Sequence, residues 1–187
     1  MLRSIRQLVS DRKFRLFACA CCRAIAETFP NRVYHDLVEC AERFAEKLVT
    51  KRELDIAYRL VAQQPNMGLG MAVCAVADAS ASYAAQKTAE RAQGRVPHVT
   101  REWQACLLRE IVGIPFRDIT FPSDWRTDTV LSLAKQMYDS REFGAMPILA
   151  DALQDAGCEN ADILDHCRGP GPHVRGCWVV DLILGKE

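Results

Sequence analysis

Residues 11–29 read DRKFRLFACACCRAIAETF, and Phe14, Ala18, Cys21, Cys22, Ile25 and Phe29 recur in this stretch at three- and four-residue steps. That spacing places them on one face of an amphipathic helix. Pro30 and Asn31 stop it, because proline lacks the donor and the free φ that another turn needs. Downstream, Leu37, Ala41, Phe44 and Leu48, flanked by Val38 and Ala45, form a second stripe. Thr50-Lys51-Arg52-Glu53 has the pattern of a capping box, in which each side chain satisfies the other residue's free backbone N–H. It opens a third helix with Leu54, Ala57, Tyr58 and Val61 on its apolar side, ended by Gln64-Pro65-Asn66.

The rest of the chain continues in this way. Residues 67–93 are rich in alanine and lack proline, which predicts one long helix whose small side chains let neighbouring backbones come close. Gly94 to Pro97 breaks it. A helix from Thr100 to Val112 follows, with Gly113 as its C-terminal cap and Pro115 just beyond. Ile114 to Trp125 is an irregular, aromatic-rich connector holding Pro115, Phe116, Ile119, Phe121, Pro122 and Trp125, and is read as a lid on the core. Helices are expected over Thr127–Ser140, over Pro147–Ala156 with Gly157 as terminator, and over Ala161–Cys167. Arg168-Gly169-Pro170-Gly171-Pro172 is a stiff turn before a last helix, His173 to Leu184, stopped by Gly185.

No apolar/polar alternation is long enough to demand a sheet, although short extended pieces fit around residues 116–121. The expectation is an all-α fold of roughly seven to nine helices in a single domain spanning residues 1–187. Bundle and orthogonal packing both remain open, as does a helical-hairpin array built from the pairs 11–48 and 51–93.

Composition narrows the functional classes. With 49% apolar residues in 187, the chain can bury a core without disulfides or metals to hold it. Its 24 basic and 24 acidic residues cancel, which argues against nucleic acid or an anionic membrane as partner, since both call for a basic excess. The charges are unevenly spread: residues 1–32 hold seven Arg/Lys against two acids, and residues 139–165 hold seven acids against one arginine. The ordinary reading is that the two ends dock, within one domain or across a dimer. A basic arm for nucleic acid would need interleaved aromatic rings, and few are present. Neutrality permits self-association, so a protein partner or a second copy is the expected partner. Nine cysteines, with a charged stretch from Met1 to Ser10 in place of a secretory signal, point to a reducing cytoplasm in which most thiols pack as small hydrophobes. No run of 18 apolar residues occurs, so no membrane span is expected.

Three sets of residues carry possible chemistry. Cys19-Ala20-Cys21-Cys22 holds three thiols in mid-helix, away from the helix N-terminus or tight turn where thiolates are stabilised, so core packing is expected of them. Cys158, His166, Cys167, His173 and Cys177 offer the sulfur and imidazole donors that zinc prefers. His173 and Cys177 lie four apart, so the first turns of the last helix could present both to one ion, with Cys158 and either His166 or Cys167 completing a tetrahedron. Arg168 and Arg175 flank the Pro/Gly loop before that helix and suggest an anion site. The two prolines remove donors that a phosphate cradle would use, and no phosphate-binding loop pattern is present. Signatures of hydrolases, zinc proteases and dinucleotide-binding enzymes are missing. Pairs such as Asp151 and Asp155, or Asp162 and Asp165, read as a solvated helix face.

Three stretches resemble one known family. They are SDRKFRLFACACCR at residues 10–23, LADALQDAGC at 149–158, and HCRGPGPHVRGCWVVDLILG at 166–185. Together they are similar to a family of uncharacterised bacterial proteins, abundant in planctomycetes, found alone or beside repeat-type regulatory domains. The resemblance implies a helical fold and a bacterial, cytoplasmic origin, and supplies no activity, cofactor or catalytic residue. The functional expectation is therefore a helical interaction or regulatory module without catalysis. The alternatives are a zinc-type metal protein built on the Cys/His set, and a small enzyme acting on an anionic substrate at Arg168 and Arg175.

Overall fold

A computed structural model describes residues 7–65, 67–113 and 119–186, apart from the side chain of Met67. Among these residues every regular element is helical, with ten α-helices and four short 3-10 turns. None is long and apolar enough to cross a membrane. The chain divides into two compact units, Met1–Ala105 and Cys106–Glu187.

The first unit holds α1 (Asp11–Ala24), α2 (Arg32–Ala45), α3 (Lys51–Ala62), α4 (Met67–Cys74), α5 (Ala81–Ala92) and the start of α6 (Arg101–Val112). Side chains cap most starts: Ser10, Asn31, Ser80 and the reciprocal Thr50–Glu53 box each accept a free backbone N–H. α1 packs on α2 and α5. The face of α5 turned inward is Ala81, Ala84, Ala85, Thr88, Ala89 and Ala92, small side chains that let α1 pack closely on it, while Phe14, Phe17 and Ile25 are buried in the same unit. Arg23 makes a bidentate ion pair with the buried carboxylate of Glu42, tying α1 to α2.

The alanine-rich stretch expected as one helix is two, and this raises the count from the nine expected segments to ten. Asp78-Ala79-Ser80 divides it: Asp78 Oδ1 accepts from the Ser80 N–H at 2.9 Å, and Ser80 in turn caps α5. The carbonyls released by the break are taken up by charged side chains. Arg15 donates to Val76 and Asp78, and Lys51 to Ala77 at 3.1 Å. A distant cation thus offsets the local helix preference of alanine. Leu48, expected on the apolar stripe of α2, lies beyond the helix end and is exposed.

The second unit holds the remainder of α6, then α7 (Asp128–Ser140), α8 (Met146–Asp155), α9 (Ala161–Arg168) and α10 (Trp178–Leu184). Its core gathers Val130, Met137, Tyr138, Met146, Leu149, Leu153, Ile163, Val179, Val180 and Ile183, with the thiols of Cys158, Cys167 and Cys177 among them. Ile119, Phe121 and Trp125 pack against this core, as a lid would. Pro115 and Phe116 lie outside the described residues, as do Ile114, residues 117 and 118, Asn66 and the first six residues.

The last helix begins five residues later than expected. Gly176 adopts a φ of 95°, which a right-handed helix excludes, and the Cys177 N–H closes a turn onto the Val174 carbonyl at 2.9 Å. His173 therefore stands on a loop and Cys177 on the N-cap of α10. The two residues, four apart in sequence, do not share a helix face.

Candidate metal centre

Four side chains of the second unit converge: Glu110 from α6, His166 from the last turn of α9, His173 from the loop and Cys177 from the start of α10. One donor atom from each lies within 4.8 Å of all the others. Several of the separations are shorter. His173 Nδ1 is 3.2 Å from both Glu110 oxygens. His166 Nε2 is 3.2 Å from Glu110 Oε2 and 3.2 Å from Cys177 Sγ. In a tetrahedral zinc site with bonds of about 2.0–2.3 Å, neighbouring donors stand about 3.3–3.8 Å apart. The 3.2 Å separations lie just below that range, and the outer limit of 4.8 Å lies about 1 Å above it.

The local folding that places these groups is specific. Gly113 ends α6 at a φ of 72°, and a Cβ there would come within 2.8 Å of Trp178 Cγ. The indole thus lies against the end of the helix that carries Glu110. Trp178 Nε1 donates to His166 Nδ1 at 3.0 Å and so fixes that ring from behind. Gly171, at a φ of 80°, leaves room for the backbone N of His173, 2.5 Å from where a Cβ would stand. The other nitrogen of His173, Nε2, faces the Gly169 carbonyl at 3.2 Å. An imidazole that donates to a backbone carbonyl through one nitrogen has the second-nitrogen arrangement typical of a metal-ligating histidine.

Electrostatics follow from the burial. Desolvation by itself would push the Glu110 carboxyl up, but hydrogen bonds from His166 and His173 outweigh it and hold the group at about 2. His173 feels the same competition in reverse: burial pulls it down, while the Glu110 carboxylate and the Gly169 carbonyl raise it overall. Burial, with the nearby Glu110 charge, drives the Cys177 thiol well above its ordinary value. A cation is what would ionise that sulfur here, since metal coordination deprotonates a thiol outright.

Of the five residues expected to offer metal ligands, His166, His173 and Cys177 come together. Cys158 and Cys167 are also buried in the second unit, but their sulfurs are not among the four converging donors. Burial raises the Cys167 thiol to about 12, with Glu110 as the next contributor. Sequence reasoning missed Glu110. Its signal was a carboxylate at a buried position of α6, three residues after Leu107 and next to Ile111, where an unpaired charge is expensive and implies a partner.

The two arginines proposed for an anion are both occupied. Arg168 donates to Asp151 at 3.0 Å and to Gln154 at 2.8 Å. Arg175 donates twice to the Tyr138 carbonyl in the last turn of α7, and its guanidinium lies 4.9 Å from the centre of the Tyr138 ring. The thiols of α1 behave as packing groups: Cys19, Cys21 and Cys22 are buried, and burial pushes each of them up. Comparison with protein-family models, with curated proteins and with solved structures finds no match for the chain.

Proposed function

We propose that this is a metal-binding protein whose second unit holds a zinc-type divalent ion in the cluster of Glu110, His166, His173 and Cys177, with ligands drawn from that set. The observation that carries the reading is the convergence of four donors of the right chemistry from four separate chain segments. Sulfur with imidazole favours zinc over magnesium or calcium, which prefer oxygen. Charge supports it as well: a dication, a thiolate and a carboxylate sum to zero in a buried place. The test is elemental analysis of protein purified without a histidine tag, followed by chelation and reloading. About one zinc per chain is expected, with thermal stability that falls on chelation and returns with zinc. Folded protein that carries no zinc and is not stabilised by added zinc overturns the reading.

A second reading, a helical interaction or regulatory module without catalysis, is supported by the first unit. There α3 exposes Ile56 and Leu60 one turn apart, with Leu48 exposed nearby in sequence. If a second copy covers that face, sedimentation velocity shows a concentration-dependent dimer that Ile56→Glu with Leu60→Glu abolishes. A wild-type monomer at all concentrations removes self-association from this reading.

A further inference from the structure

The two histidines of the centre are wired differently, and the difference has a chemical consequence. Indole Nε1–H is a donor only. His166 Nδ1, 3.0 Å from it, must therefore present its lone pair. A neutral imidazole carries its one proton on the remaining nitrogen, so His166 Nε2 is an N–H aimed at Glu110 Oε2 and Cys177 Sγ. Ligation through that nitrogen would require an imidazolate or loss of the indole bond. His173 is the reverse: its Nε2 faces a carbonyl acceptor and keeps a proton, which leaves Nδ1 to offer its lone pair to an ion.

We propose, building on the metal reading above, that the ion is held by Glu110, His173 and Cys177 alone, and that its fourth position stays open to a small monodentate anion. His166 faces that position as a hydrogen-bond donor. Three protein ligands with one exchangeable position is the arrangement of reactive zinc sites, whereas closed four-ligand sites are structural. Charge balance is kept, because a neutral His166 adds nothing to the thiolate and carboxylate. Exposure agrees: the His166 side chain is 16% exposed, against 10% for His173 and 4% for Glu110, so the open position lies toward solvent. The indole that enforces the wiring is itself held in place, packed against Gly113 where no side chain would fit.

Cobalt(II) loading with azide as the probe tests this, because the visible spectrum of cobalt reports its donors. Wild-type protein and His166→Ala should each bind about one cobalt, and His173→Ala should not. Azide should shift the wild-type spectrum, and bind about tenfold more weakly to His166→Ala, which lacks the N–H. Trp178→Phe is the second variant. It frees Nδ1 to take the proton, lets Nε2 ligate, and closes the site, so the azide response should vanish. The inference is overturned, with the metal reading intact, if wild type binds cobalt but His166→Ala does not. It is equally overturned if azide leaves the wild-type spectrum unmoved, or if Trp178→Phe responds to azide as wild type does. Wild type that takes up neither cobalt nor zinc overturns both.

Discussion

Cys22 in α1 and Cys177 at the start of α10 are equally buried, each 0% exposed, and both thiols are driven up by desolvation. Their surroundings differ. Cys22 Sγ has a long hydrogen bond to the Ala72 carbonyl, 3.9 Å away, and beyond burial it feels only the more distant charges of neighbouring thiols and of Arg23 and Arg95. Cys177 has an imidazole nitrogen at 3.2 Å, with a second imidazole and a carboxylate within 4.8 Å. A cysteine's own burial therefore does not distinguish packing from chemistry. Convergence of polar groups that are costly to bury without a role does.

The sharpest way to break this contrast is to remove one thiol from each unit and measure zinc. Cys177→Ser and His173→Ala should weaken zinc binding by more than the roughly 100-fold that loss of a group behind a ligand costs. Cys22→Ser should leave stoichiometry and affinity unchanged while lowering the melting temperature, because it places a hydroxyl in an apolar core. Competition against a chromophoric chelator reads the affinities. Equal losses in the two units would erase the distinction.

The first unit has its own buried charge, and it answers to a different measurement. Glu42 is 3% exposed and paired with Arg23. Arg23→Ala removes that bidentate partner and should cost about 3 kcal/mol in denaturant unfolding, with zinc binding untouched. A cost below about 1 kcal/mol would class the pair with surface ion pairs and blur the contrast between a structural carboxylate, Glu42, and a site carboxylate, Glu110.

How far the sequence reveals these features follows the range of the interactions. Period and caps are local, so the α1 stripe, the Thr50–Glu53 box and the Gly113 terminus could all be read directly. The break at Asp78-Ala79-Ser80 was hidden, since Arg15, some sixty residues away, satisfies its carbonyls. Three of the site's residues were legible as zinc-type donors. Their geometry was not, because it depends on a positive φ at Gly176 in place of a helix. Glu110 had only its place beside Leu107 and Ile111 to mark it, because its partners lie more than fifty residues away and a single carboxylate in a helix usually faces water.

Glu110 also gives a pH test in metal-free protein. Its carboxyl sits at about 2, against an ordinary 4.5. A depressed acid stabilises the fold above its unfolded value, and that contribution is lost as pH falls from about 4.5 toward 2. His173 has the opposite sign: its raised value stabilises the fold below the ordinary 6.5 and is lost as pH climbs through the raised value. Glu110→Gln should therefore cost most, about 2 kcal/mol, between roughly pH 5 and 6.5, and less on either side. Urea unfolding of chelated wild type and variant across pH measures it. A cost that is flat with pH would mean Glu110 acts by shape and not by charge.

The smallest effect belongs to Arg168, one of the two arginines that suggested an anion site in the sequence. Its side chain is 42% exposed and that of its partner Asp151 is 73% exposed, so the pair is screened and contributes between zero and about 1 kcal/mol. Arg168→Ala should shift stability by no more than that, and should leave zinc affinity and the azide response of the cobalt form where they were. Inorganic phosphate should raise the melting temperature of neither wild type nor variant, because the guanidinium already bonds Asp151 and Gln154. Phosphate stabilisation that is present in wild type and lost in Arg168→Ala would show that those contacts yield to an anion. It would put a second ligand site beside the metal centre, on the helix that carries His166.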